Sequence, residues 1–404
     1  MNDEKGYLLV NVYVDNIAQP VENARVRILG ENTNLELFTN ESGQAEKVEL
    51  LAPNVEYSLT EQTEVRPYSI YTVIVSKEGL TTAQYDQVEI YAGELSIQDI
   101  YLTNETENLN AKSIVEIDPP TLWGEYPKNV EDEITEETAP YVLKEVMIPK
   151  TIIVHDGIPS NQNANSYIVP FTDYIKNVAC SEIYSTWPRE TIKANVLAII
   201  SFTLNRIYTE WYISKGYDFT ITSTTTYDQK YTRGRTIFAS IADVVDEIFT
   251  TYIKFPSLPQ PLLAHYRSTT EEAGYLSQWG AKYLGDQGYK AYDILRYYYG
   301  NVVLATASTV EEYPYSYPGK ILKNGDCDID VQVIQNQLNY IRGSYPAIRK
   351  IAEANGYFGD DTTSAVKTFQ NIFSIVATGI VDFATWYRIS YIYVSVKNML
   401  RGVY

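Results

Sequence analysis

The first hundred residues alternate between apolar and polar positions. Ala24-Arg25-Val26-Arg27-Ile28 has a strict period of two, residues 6–14 alternate in their second half, and residues 71–75, 88–91 and 97–102 continue the pattern. Asn40-Glu41-Ser42-Gly43 and Lys77-Glu78-Gly79 supply turns between them. About seven short strands punctuated in this way predict a small all-β sandwich over residues 1–103. From residue 151 the period changes. Residues 151–155 and 165–171 read as two more strands. Ile192, Val196, Ile199, Ile200, Thr203 and Ile207 then recur at helical spacing, with Leu197, Leu204, Tyr208 and Trp211 on a second face. That predicts a helix buried on most of its circumference, opened by Pro188 and closed near Gly216. A second helix is expected over 236–254, a third after Ser277-Gln278-Trp279-Gly280-Ala281 and a fourth from Tyr292, so residues 151–310 form an α+β unit. Over 320–404, Val331, Ile334, Leu338 and Ile341 make one stripe, and Ala365, Val366, Phe369 and Phe373 another. Gly356-Tyr357-Phe358-Gly359 turns the chain between them and Thr385-Trp386 opens a third helix, giving a three-helix bundle. The whole is multidomain.

Residues 104–150 break every period. They hold Pro119-Pro120, Pro127, Pro140, Pro149 and the run Glu131-Asp132-Glu133-Ile134-Thr135-Glu136-Glu137. This composition predicts an acidic linker, a favoured place for proteolysis. Charge sharpens the division. Of a net charge of -19, residues 1–150 contribute 28 acidic and 10 basic side chains, which leaves 23 and 22 for the remainder. An acidic N-terminal part beside a neutral remainder has a different job from it. No basic stripe marks a nucleic-acid partner. No run of about 18 apolar residues marks a membrane span, and the polar start Met1-Asn2-Asp3-Glu4-Lys5-Gly6 is not that of a signal peptide. The 37 tyrosines against 11 phenylalanines favour half-buried surfaces and sugar-stacking faces.

Two cysteines, Cys180 and Cys327, in separate regions exclude a disulfide scaffold. Two histidines, His155 and His265, without metal-ligand spacing predict no metal and no cofactor. A cysteine nucleophile at Cys180 would want a histidine base nearby. The residue that draws attention is Glu182, a lone acid in a largely uncharged stretch just ahead of the apolar helix. A carboxyl group at the edge of a core has its pKa raised by desolvation, into the range useful for general acid work.

Several blocks in order resemble the stage II sporulation protein D family of lytic transglycosylases. They are Tyr174-Ile175-Lys176-Asn177-Val178…Ser181-Glu182…Trp187-Pro188…Ile192-Lys193-Ala194-Asn195, then Tyr227-Asp228-Gln229…Gly234, then Leu276-Ser277-Gln278-Trp279-Gly280-Ala281 and Ile294-Leu295-Arg296-Tyr297-Tyr298-Tyr299. Asp330-Val331…Gln335…Leu338, Gly356-Tyr357-Phe358-Gly359…Phe369-Gln370 and Gly379-Ile380-Val381…Thr385-Trp386 resemble the three-helix peptidoglycan-binding domain. The whole order is similar to the SleC-type spore cortex-lytic enzymes of clostridia. The resemblance implies an enzyme made as a precursor, cut by a protease near residues 141–150, located in the spore, synthesised without a signal peptide and acting on cortex peptidoglycan. It implies Glu182 as catalytic acid/base, and it matches Lys193 to the family's lysine. Lys193 would steady Glu182 or meet peptide-stem carboxylates. Tyr227, Asp228 and Gln229 would bind sugar hydroxyls, with Asp228 the candidate second carboxylate if water attacks. Gln278 and Trp279 would form a glycan shelf, and His265 and Tyr266 would line the same cleft. The sequence departs from the family pattern at Ile200, where an arginine is common, and lacks the histidine–glycine pair ahead of the Ser277 block. A wall-binding structural protein, or a hydrolase or amidase of a phage or injection particle, are the alternative readings.

Overall fold

The computed structural model describes residues 4–14, 16–61, 64–104, 112–124, 143, 145–309 and 317–401, and most of the expected linker, including the acidic run at 131–137, lies outside the described residues. The protein is multidomain, with mixed α and β content and a helical C-terminal region. Its N-terminal part is two facing sheets. Strand Glu4–Val14 is the hub of the first, parallel to Leu95–Leu102 and antiparallel to Val48–Ala52 and Asn16–Pro20. The second runs Thr33–Phe38, Arg25–Gly30, Ser69–Lys77, Leu80–Ile90 and Lys112–Glu116. The period of two in Ala24–Ile28 has its reason here. Val26 and Ile28 point inward and are wholly buried, joining Leu8, Val10 and Val12 of the first sheet and Val73 and Val75 of the second in one core.

Several strands differ from the expectation, among them Thr251–Lys254, which lies inside the expected helix 236–254 and pairs antiparallel with Val303–Thr306. Lys112–Glu116 falls where the sequence reads as linker, yet it pairs in parallel with Leu80–Ile90. Only Val115 of this strand is buried, so no alternation betrays it. Ile237–Phe238 reads as the start of a helix. Instead it pairs antiparallel with Leu95–Leu102, Ile237 opposite Ile97 and Phe238 opposite Ser96. A strand from the middle of the chain thereby completes the N-terminal sheet, and the helix begins only with Ala239–Ile248.

In the middle of the chain, Thr151–His155 pairs with Ser166–Pro170 and with Ile221–Thr222. Helices Phe171–Glu182, Ala239–Ile248, Gln278–Asp286 and Ala291–Tyr299 surround the helix Arg189–Tyr208. That helix is buried along nearly its whole length, its few buried polar side chains such as Thr203 and Arg206 all hydrogen-bonded. Pro188 takes the N-cap position, and the helix ends at Tyr208; Gly216 instead closes a short 3-10 turn at Ile213–Lys215.

The C-terminal helices are Ile329–Ile341, Asp360–Ile372 and Phe383–Arg401. One polar device holds them, used twice. The buried Gln335 accepts the Gly356 N–H (2.9 Å) and donates to Tyr357 O (2.8 Å) and Thr362 Oγ1 (3.0 Å). The buried Gln370 accepts the Gly379 N–H (2.8 Å) and donates to Ile380 O (2.9 Å) and Thr385 Oγ1 (3.1 Å). Both glycines have positive φ, +85° and +76°, which side chains with a Cβ rarely adopt. A buried amide with every partner in place fixes one turn geometry, so each Gln staples a helix to the turn that precedes the next. Phe249 packs at a tilt against Phe383 and edge-on to Tyr387, joining this bundle to the middle of the chain.

Candidate active site

Glu182 is the last residue of the helix Phe171–Glu182, after which the chain turns through Ile183–Trp187 to Pro188. It is 4% exposed. Its Oε1 accepts the Lys230 backbone N–H at 3.0 Å, and its Oε2 accepts the Thr121 hydroxyl at 2.8 Å. The Gln278 amide donates to its main-chain oxygen at 3.2 Å. Burial pushes the Glu182 carboxyl up from its ordinary range, and the bonds from Lys230, Thr121 and Gln278 oppose this only in part. Its place at a helix C-terminus also disfavours a negative charge. The site thus holds one carboxyl group suited to keeping a proton.

The turn at Tyr227–Lys230 reaches Glu182, though not through the expected side chains. Asp228 is buried and fully committed. Its Oδ1 accepts from Arg206 Nε (2.8 Å), and its Oδ2 accepts from Tyr212 OH (2.6 Å), Thr222 N (2.9 Å) and Thr222 Oγ1 (2.8 Å). Tyr227 contributes its carbonyl to Arg206 at 3.2 Å. Gln229 accepts from Thr203 (2.8 Å) and Tyr174 (3.2 Å) and donates to Ile199 O. These three residues therefore brace the turn whose next residue, Lys230, aims its N–H at the acid. Arg206 lies six residues beyond Ile200, where the family's arginine is expected, and it spends its charge on Asp228.

Lys193 is directed elsewhere. Its Nζ pairs with Glu247 at 2.7 Å, beside Arg189, which holds the other Glu247 oxygen at 2.6 Å. Gln278 is buried against Glu182, while Trp279 packs on Trp187 and Tyr184, ring centroids 5.0 and 6.1 Å apart. Tyr266 is close enough that the Glu182 charge, after burial, helps to suppress its acidity. His265 is lowered to about 4, chiefly by burial and then by Arg206 and Arg267, so it stays neutral. The His155 ring nitrogens face Ser166 Oγ and Ile158 O. Among the described residues no three His, Cys, Asp or Glu side chains gather to hold a metal ion. Burial pushes the Cys180 thiol up to about 12 and so suppresses the thiolate, and the Phe238 N–H that its sulfur accepts opposes this only in part.

Sequence reasoning missed the residues that close the site. Thr121 N–H donates to Ser181 O (2.8 Å), which seats its hydroxyl on Glu182. Asp118 pairs with Lys230 Nζ at 2.6 Å, and its carbonyl accepts from Arg235 at 2.8 Å. Nothing in the local pattern marks Thr121, which lies 61 residues before its partner in a proline-bearing stretch. Lys230 was within reach, because it directly follows Gln229.

Residues 160–250, the window that holds Glu182, Lys193 and the 227–230 turn, match the stage II sporulation protein family. Residues 328–389, which hold both glutamine staples, match the peptidoglycan binding domain family. The two matches lie in separate parts of the chain and together support a cell-wall-acting sporulation protein. No curated protein matches the chain. Among solved structures, the Bacillus anthracis TIE protein is similar at 16% identity over 25% of this chain and 17% of that one, with a TM-score of 0.18. Chlorocatechol 1,2-dioxygenase from Pseudomonas putida is similar at 11% identity over 26% of this chain and 61% of that one, with a TM-score of 0.16. This chain therefore spans less than two thirds of the length of either, and likenesses this slight carry no functional argument.

Proposed function

We propose that the protein is a peptidoglycan lytic transglycosylase of the spore cortex, made as a precursor and using Glu182 as its only acid/base. The carrying observation is that Glu182 is a buried carboxyl with a raised pKa at the end of its helix, while the candidate second carboxyl, Asp228, is committed to four hydrogen bonds. Hydrolysis of a glycosidic bond ordinarily takes two carboxyl groups. An intramolecular nucleophile removes that need through its high effective concentration.

The two oxygens of Glu182 divide the work. Oε1 is tied to Lys230 N–H and fixes the orientation, and Oε2 faces the place that the Thr121 hydroxyl fills. In the reaction, Oε2–H gives its proton to the oxygen between MurNAc and GlcNAc as the C1–O bond breaks. The same oxygen, now ionised, takes the proton from the MurNAc 6-hydroxyl as that oxygen bonds to C1. The products are an anhydromuramoyl end and a free GlcNAc end, the proton returns to Glu182, and no water is consumed. A hydroxyl already bonded to Oε2 in this structure supports the view that the oxygen accepts one of this kind.

The precursor reading rests on the same contact, because the turn that holds Thr121 occupies the oxygen that the substrate needs. A protease acting near 141–150 would meet Val146 and Ile148 buried and Met147–Ile148 paired with Ser308–Thr309, so the cut falls on the N-terminal side of Val146. The test is Glu182→Gln in protein cut in the linker and assayed dilute on cortex sacculi. Mass spectrometry should find no anhydromuropeptides. Their release at the wild-type rate would sink the mechanism.

A further inference from the structure

Residues 4–124 cover the surface around Glu182. Each contact across it comes from residues 4–124. At its centre Arg235 pairs with Glu89 at 2.6 Å, both side chains almost wholly buried. Beside them Gln98 accepts from Thr236 at 2.8 Å and donates to Gly234 O at 3.0 Å, and Ile237–Phe238 runs as a strand along Leu95–Leu102. Tyr91 stands edge-on to Phe238 (5.0 Å) and against Tyr184 (5.7 Å). Trp187 donates its indole N–H to Ser58 O (2.9 Å), so the aromatic group of Trp187 and Trp279 lies under the same cover. Asp118 and Thr121 finish the seal over Lys230 and Glu182. The C-terminal bundle holds the cover too, through Gln44 Nε2 to Ile372 O (2.7 Å) and a Tyr345 hydroxyl bond to Ile17 O. Buried residues of the cover, Tyr13, Ile17, Tyr68, Tyr91 and Leu122, belong to the core of the rest of the protein and not to the core of their own sheets.

We infer that residues 4–124 are an inhibitor held by this surface rather than by the peptide link. Cutting the linker leaves a one-to-one complex with Glu182 still covered, and activity follows dissociation, not scission. An added strand and a continuous apolar core are features of a stable interface, and the buried Glu89–Arg235 pair fixes its register, with Asp118 at the rim. That the complex is silent rests on Glu182 being the acid; that it persists does not.

The experiment inserts a specific protease site between Pro127 and Pro140 of the full chain, cuts it and follows the pieces by size-exclusion chromatography at micromolar concentration. Co-elution of the two pieces is expected, with release of soluble muropeptides rising per molecule on dilution and falling again when separate N-terminal piece is added. Separation of the pieces at micromolar concentration overturns the inference, as does full activity at every concentration. Glu89→Gln leaves Arg235 buried without its counter-charge and should weaken the cut complex roughly a hundredfold or more. Asp118→Lys sets like charges together at the half-exposed rim without touching either core, and should weaken it roughly tenfold. Unchanged co-elution of both variants down to nanomolar concentration would also overturn it. Separated pieces that never cleave sacculi would count against the catalytic reading instead.

Discussion

Asp228→Asn separates a structural carboxylate from a reacting one. Asn preserves shape but not the bonding. Three donors, Tyr212 OH, Thr222 N and Thr222 Oγ1, converge on Oδ2, and Arg206 Nε addresses Oδ1. Whichever way the amide faces, its NH2 meets buried donors, and the Arg206 guanidinium, 5% exposed, loses its counter-charge. Breaking a buried pair from one side costs about 3–5 kcal/mol. The oxygen that Asn retains offsets about 1 kcal/mol, leaving a loss of about 2–4 kcal/mol. Urea unfolding of the full chain should therefore show an unchanged slope and a midpoint lower by roughly 1 M, for a slope of about 3 kcal/mol/M. In the cut, dilute enzyme, activity should fall only as the folded fraction falls, and the products should remain anhydromuropeptides. A variant with the wild-type midpoint and activity reduced by orders of magnitude would make Asp228 a reacting group and refute the single-carboxyl mechanism.

A general acid works protonated, so kcat should be highest at acid pH and fall as pH rises through the raised Glu182 value. A pH–rate profile of the dissociated enzyme with its limb in the ordinary glutamate range would contradict this. Gln335→Ala or Gln370→Ala leaves a buried glycine N–H and a threonine hydroxyl without their amide partner, at about 1–3 kcal/mol each. Calorimetry should show the C-terminal helices melting earlier, and sacculus pull-down should weaken before bond cleavage does.

The parts of the site legible in the sequence are those that local chemistry dictates. Glu182 stands out because it is the one acid where the pattern is otherwise apolar, and the apolar spacing of Arg189–Tyr208 on two faces announces a core helix. The side-chain roles are less legible. Asp228 and Gln229 look like sugar ligands because they are polar and adjacent, but only tertiary structure shows Arg206, Tyr212 and Thr203 consuming them. Lys193 sits one helical turn from Arg189, so both reach the same Glu247. Thr121 is unreadable for a different reason. Lys112–Glu116 buries one residue in five, and the prolines after it break every period, so a strand and the segment that closes the site look like a connector.

The two-residue strand Ile237–Phe238 has a further consequence for the fate of the N-terminal piece. While docked, it occupies the outer side of Leu95–Leu102. Once it is withdrawn, the N–H and C=O groups around Ser96 and Ile97 form a bare sheet margin, a template that recruits other extended chains. A separated N-terminal piece is therefore prone to self-association and capture by other strands. Loss of the free piece by that route draws the equilibrium forward, so a reversible docking acts as a one-way step.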